Sequence, residues 1–125
     1  MTTVEPQMTD MRTEYGKTLI EIGKENPNVV VLGADTTDSL KTAGFGKEFP
    51  NRFFNVGIAE ANLVSVAAGL AMSGKTSFAS TYAIFLPGRA VDQIRNAIAY
   101  PSRGDKKGLN VKLVVSHGGL SVGAD

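Results

Sequence analysis

Val29-Val30-Val31-Leu32 is an unbroken apolar run, three of its four residues β-branched. A strand with one face in water alternates apolar and polar residues. A continuous run reads as a strand covered on both faces, which is the situation of a parallel sheet between helices. The flanking segments agree. Tyr15, Leu19, Ile20 and Ile22 recur at helical spacing, and Thr9 or Asp10 can cap a helix running to about Glu25. Asn26-Pro27-Asn28 stops it, because proline biases the residue before it to extended backbone. Further strands are predicted at 53–56, broken by Gly57, and at 77–81 and 111–115. Helices are predicted at 60–72 and 88–100, the second ended by Pro101. Strands alternating with helices predict an α/β fold, a three-layer α/β/α arrangement with a mostly parallel sheet. Ligands of such sheets bind beyond the C-terminal ends of the strands. The loops there carry Asp35 and Ser39, then Glu60, then Tyr82 and Phe85, then His117 and Asp125.

With 125 residues, 42% of them apolar, the chain can bury one core. A net charge of +1 gives no electrostatic case for nucleic acid or a membrane surface. The absence of cysteine excludes disulfides, thiolate metal sites and a cysteine nucleophile. Residues 1–10 are polar, with acidic charges only, and read as a flexible leader rather than a signal peptide. No apolar run approaches the roughly 20 residues a bilayer-spanning helix needs. A cytoplasmic protein is the expectation. Residues 11–125 read as one partial domain, because the sequence stops in a glycine-rich loop where another helix and strand would ordinarily follow. A truncated domain, or one completed by another chain, is expected. No Gly-x-Gly-x-x-Gly follows the first strand, which argues against a dinucleotide-binding dehydrogenase.

Four segments in order carry a resemblance. Gly33-Ala34-Asp35-Thr36-Thr37-Asp38-Ser39 follows the first strand. Phe54-Asn55-Val56-Gly57-Ile58-Ala59-Glu60-Ala61-Asn62 precedes the second helix. Ser80-Thr81-Tyr82-Ala83-Ile84-Phe85 leads to Arg89-Ala90-Val91-Asp92-Gln93-Ile94-Arg95. Ser116-His117-Gly118-Gly119-Leu120-Ser121-Val122-Gly123-Ala124-Asp125 closes the chain. Together they resemble the pyrimidine-binding domain of thiamine-diphosphate enzymes, in particular the C-terminal section of transketolases. The resemblance covers nearly all of residues 11–125. 1-Deoxyxylulose-5-phosphate synthase is the nearest alternative, towards which Val122-Gly123-Ala124-Asp125 leans. A non-catalytic fragment or dimerisation module is the alternative from another class.

The resemblance implies thiamine diphosphate as cofactor, with Mg²⁺ or another divalent ion held by a partner chain. The Gly-Asp-Gly segment of the metal-binding domain is missing, since Arg103-Gly104-Asp105-Lys106 lacks the second glycine. An N-terminal diphosphate-binding transketolase subunit is therefore the expected partner, in a homodimer or heterotetramer acting on sugar phosphates. Glu60 matches the catalytic glutamate that hydrogen-bonds the pyrimidine ring. By position alone, it is equally a glutamate favoured by a helix N-terminus. Phe85 matches the residue that stacks on the pyrimidine and Tyr82 a wall of the same slot, although aromatic side chains also pack cores. Asp35 resembles an aspartate near the thiazolium, or is a turn former. Arg12, Ser39 and His117 match phosphate or substrate contacts, and His117 is also a catalytic candidate as the chain's one histidine. Arg12 could instead be solvated and Ser39 a turn residue. Asp125 resembles a contact to a substrate hydroxyl. Pro87-Gly88 adds a residue before Arg89, which leaves the role of Arg89 open.

Overall fold

The computed structural model describes residues 8–104 and 107–120. Its helices and strands alternate: α1 (Met11–Glu25), β1 (Val29–Gly33), α2 (Ala43–Glu48), β2 (Phe53–Asn55), α3 (Glu60–Met72), β3 (Thr76–Tyr82), α4 (Phe85–Gln93) and β4 (Val111–Ser116). A π-helical segment, Ile94–Ala99, and a last turn, α5 (Tyr100–Ser102), extend α4. The four strands form one sheet in the order β2-β1-β3-β4, and every pairing is parallel.

All five residues of β1 are buried. Val29 and Val31 point to one face, where they pack with Leu19 of α1 and Phe45 of α2. Val30 and Leu32 point to the other, against Leu63 and Ala67 of α3. The apolar run thus fills both layers at once, as a central parallel strand must. Because β1 leads to β2 on one side and β3 leads to β4 on the other, the strand order reverses between β1 and β3. The crevice beyond their C-terminal ends is where such sheets bind ligands.

β4, predicted as a strand at 111–115, lies at the sheet edge, and none of its residues is fully covered. Two features depart from the expected pattern. The helix predicted at 88–100 begins at Phe85, with Pro87 in its first turn, where the backbone N–H groups have no helical partner to lose. Pro101 does not end it either: the backbone widens into the π-helical segment, and Ser102 Oγ donates to the Ile98 carbonyl at 2.6 Å. The short helix α2, only six residues with two glycines, has too few apolar positions to show a period. Arg52, just after it, donates to the carbonyls of Gly23 (2.9 Å) and Asn26 (3.1 Å), supplying a cation to the C-terminus of α1.

Candidate active site

Glu60 is the first residue of α3 and stands beyond the sheet's C-terminal edge. Ala59 has no side chain with which to cap that helix, and an acidic residue in the first turn suits its dipole. The Glu60 side chain is nonetheless 2% exposed, far more buried than a dipole-stabilised surface glutamate needs to be. Thr81 Oγ1, on β3, donates to Glu60 Oε1 at 3.3 Å. Arg89 Nη1, on α4, donates to Glu60 Oε2 at 3.0 Å. The Arg89 guanidinium carbon also lies 3.9 Å from the centre of the Phe85 ring. A buried carboxyl group, a hydroxyl, a cation and an aromatic face therefore meet at one point.

Tyr82 extends the cluster sideways. Its ring centre is 5.8 Å from that of Phe85 and 4.7 Å, edge-on, from that of His117. His117 Nε2 faces Arg12 Nη1 at 3.5 Å, and its Nδ1 lies 2.6 Å from Ser116 Oγ. Arginine can only donate, so this geometry suits the tautomer with its proton on Nδ1 and Nε2 accepting. Arg12 also donates to the carbonyl oxygen of Ser39 at 3.5 Å. Ser39 thus meets Arg12 through its backbone and not its hydroxyl. A cavity of about 610 Å³ opens here, lined by Arg12, Tyr15, Leu40, Val114, Ser116 and His117 among others. Neither Glu60 nor Phe85 lines it. Tyr82 stands between the two halves.

Arg12 is placed by its helix. The backbone N–H of Arg12 donates to Asp10 Oδ1 at 3.2 Å, which makes Asp10 the N-cap of α1. The Arg12 side chain and backbone beside it hold the Asp10 carboxyl below its ordinary range. Deeper in, the Tyr15 hydroxyl lies 2.7 Å from Ser80 Oγ, and burial pushes the phenol up to about 12.

Asp35 is held apart from the Glu60 cluster, at a positive φ of 60°. Its backbone N–H donates to Asn55 Oδ1 at 2.9 Å, and Asn55 Nδ2 donates back to Asp35 Oδ1 at 3.3 Å. The same Asn55 oxygen accepts from Gly57 N–H at 3.1 Å. One side chain thereby ties the loop after β1 to the turn that leads into Glu60. Asp125 lies outside the described residues. Thr81, Asn55 and Arg89 were legible as members of the motifs but carried no assigned role, because partners twenty or more residues apart leave no spacing signal. Among the described residues no three His, Cys, Asp or Glu side chains gather to hold a metal ion, and no helix is long and apolar enough to cross a membrane.

Comparison with known proteins agrees with the motifs. Residues 7–125 match the family described as transketolase, pyrimidine binding domain. A Methanocaldococcus jannaschii protein named as a transketolase C-terminal section is 54% identical over 92% of this chain. Human transketolase is 40% identical over 91% of it. A solved structure described as a split gene transketolase, inactive β4 tetramer, is 56% identical and superposes with a TM-score of 0.73 over 85% of this chain. The chain spans 34% of the archaeal protein, 17% of the human one and 33% of the solved chain. Motif order, fold and similarity agree: the chain belongs to the transketolase pyrimidine-binding domain family.

Proposed function

We propose that this chain supplies the aminopyrimidine half of a thiamine-diphosphate site in a transketolase-type enzyme. Paired with a diphosphate-binding subunit, it would move a two-carbon ketol unit between sugar phosphates. The observation that carries the reading is the Glu60 carboxyl group, 2% exposed, at the sheet's ligand-binding edge beside the Phe85 ring. A carboxyl group so placed can hydrogen-bond a ring nitrogen, and Thr81 fixes its orientation. Phe85 and Tyr82 give a planar ring two aromatic neighbours, and Asp35 faces the same edge from the loop after β1. The donor set fits a pyrimidine. When bound, thiamine diphosphate supplies the acidic carbon and the electron sink that ketol transfer needs. Mg²⁺ or another divalent ion is assigned, with the diphosphate, to the partner subunit, since the sequence has no Gly-Asp-Gly.

Arg12, Ser39 and His117 are assigned to the sugar phosphate. Arg12 Nη1 and His117 Nε2 lie 3.5 Å apart. A phosphate placed between them would have the guanidinium and the imidazole as hydrogen-bond donors. Asp125 is assigned to a substrate hydroxyl. The relatives compared are transketolases by name, which favours ketol transfer over pyruvate chemistry. A cytoplasmic homodimer or heterotetramer, working in pentose phosphate interconversion, completes the reading.

Reconstitution tests it. The chain is mixed with a diphosphate-binding transketolase subunit, thiamine diphosphate and Mg²⁺, and transfer from xylulose 5-phosphate to ribose 5-phosphate is followed. Activity should appear and should fall at least a hundredfold in Glu60→Ala, on the order of the loss of a general acid–base group. Equal activity in the variant would refute the role of Glu60. Turnover of pyruvate alone would move the chain to the deoxyxylulose-phosphate branch.

A further inference from the structure

Both contacts just assigned to the aminopyrimidine are already made by a side chain of this protein. The Arg89 guanidinium lies over the Phe85 ring at 3.9 Å and donates to Glu60 Oε2 at 3.0 Å. A guanidinium is planar, carries its N–H donors in that plane and stacks on aromatic faces. An aminopyrimidine presents the same features: a flat ring with an in-plane amino group. The two compete for one ring face and one carboxyl oxygen. We propose that Arg89 is an internal gate on the pyrimidine slot, closed by mimicry of the cofactor's ring and opened when that ring displaces it. The inference rests on the assignment of Glu60 and Phe85 to the cofactor.

Two observations make the gate workable. The Arg89 side chain is 47% exposed while Glu60 is 2% exposed, so the cation can swing into water without dragging the carboxyl group with it. Glu60 is not stranded when Arg89 leaves, because Thr81 still donates to its other oxygen. The gate also changes what Glu60 can do. Paired with a guanidinium, the carboxylate only accepts hydrogen bonds; sharing a proton with a ring nitrogen starts once the cation has gone. Cofactor entry and the arming of Glu60 thus become one event.

A site closed for part of the time binds more weakly by the fraction that is open. A half-exposed ion pair and one cation–π contact are weak, so removing them should tighten binding about three- to tenfold. The test is calorimetric titration of thiamine diphosphate, with Mg²⁺, into the assembly of this chain with a diphosphate-binding subunit. Wild type is compared with Arg89→Ala, Arg89→Lys and Glu60→Gln. Arg89→Ala should bind more tightly than wild type. Arg89→Lys, which keeps the charge and loses the planar stack, should fall between them. Equal or weaker binding by Arg89→Ala, at an unchanged melting temperature, overturns the gate. So does a structure of the loaded assembly in which Arg89 still bonds to Glu60; in an open gate it stands beyond hydrogen-bond reach. If Glu60→Gln loses affinity while Arg89→Ala does not gain it, the gate alone is wrong. If wild type does not bind the cofactor, or Glu60→Gln binds as well as wild type, the assignment of the slot fails and the gate fails with it.

Discussion

Alanine at position 16 should destabilise a helix that, by propensity, it ought to strengthen. Gly16 is buried in the middle of α1, and a Cβ placed on it would collide with the carbonyl oxygen of Lys41, with the Lys41 Cβ 3.1 Å away. The helix gains about 1 kcal/mol when alanine replaces glycine. Against that stands an overlap with backbone, which no rotamer change relieves. The turn that carries Lys41 is itself tied down: Leu40 N–H donates to the Thr36 carbonyl at 2.9 Å and Thr42 N–H to the Thr37 carbonyl at 3.0 Å. Overpacking of this kind costs about 1–3 kcal/mol, and the upper part of that range, about 2–3 kcal/mol, applies here because relief means moving α1 off the turn. A net loss of about 1–2 kcal/mol is expected, or roughly 4–8 °C in melting temperature for a chain of this size. Gly69→Ala is the control. Gly69 is exposed within α3, and a Cβ there has nothing within 4 Å, so the same substitution should gain about 0.5–1 kcal/mol. Urea unfolding followed by circular dichroism measures both, with the m-value confirming that the denatured states are comparable. Shifts of the same sign in the two variants, or a Gly16→Ala protein as stable as wild type, would refute the close approach of α1 to the turn.

The remaining predictions concern groups that position the site. Burial raises the Tyr15 phenol from the ordinary 10.0 to about 12, with the Ser80 hydrogen bond opposing. Its contribution to stability is therefore complete below pH 10 and lost as pH rises towards 12, a decline on the order of 2 kcal/mol. Tyr15→Phe should flatten stability over that window relative to wild type, and parallel pH curves for the two would contradict it. Asn55→Ala removes three hydrogen bonds between exposed loops and should cost only about 1–2 kcal/mol of stability. Turnover of the reconstituted assembly should fall further than that loss explains at a temperature where the variant is folded; a loss of activity that tracks unfolding alone would make Asn55 merely structural.

Periodicity carried the fold well because its signals are local. The apolar run of β1 and the helical spacing in α1 each report their own environment, and both survive in the structure with boundaries shifted by a residue or so. The place of β4 in the sheet leaves no local signal, because a strand at the sheet edge and one at the centre share a composition; only the order β2-β1-β3-β4 tells them apart. The bounds of α4 slipped because proline at a third helical position looks, in sequence, like proline before a helix. Site chemistry was legible only through motif resemblance. Glu60 by itself could have been a surface glutamate, and its pairing with Arg89 appears only when α3 and α4 pack.

The two halves of the site are divided by the pleat of β3. Ala79 lies among the α3-facing core and Phe78 among the α1-facing core, so Thr81 shares the face of Ala79 while Ser80 and Tyr82 share that of Phe78. Thr81 can therefore reach Glu60 at the head of α3, while Ser80 reaches Tyr15 on α1. Pairing of Tyr82 with Ser116 then brings its ring beside His117. A slip of one residue in β3 would exchange these faces, turning Tyr82 towards Glu60 and Thr81 towards α1. The register is held from both sides, by Gly33 opposite Ser80 in β1 and by Val115 opposite Thr81 in β4. The strand that fixes the core thus also decides which residues join the carboxyl group and which join the cation-lined cavity, and the chemistry of the site follows from strand pairing before any loop is considered.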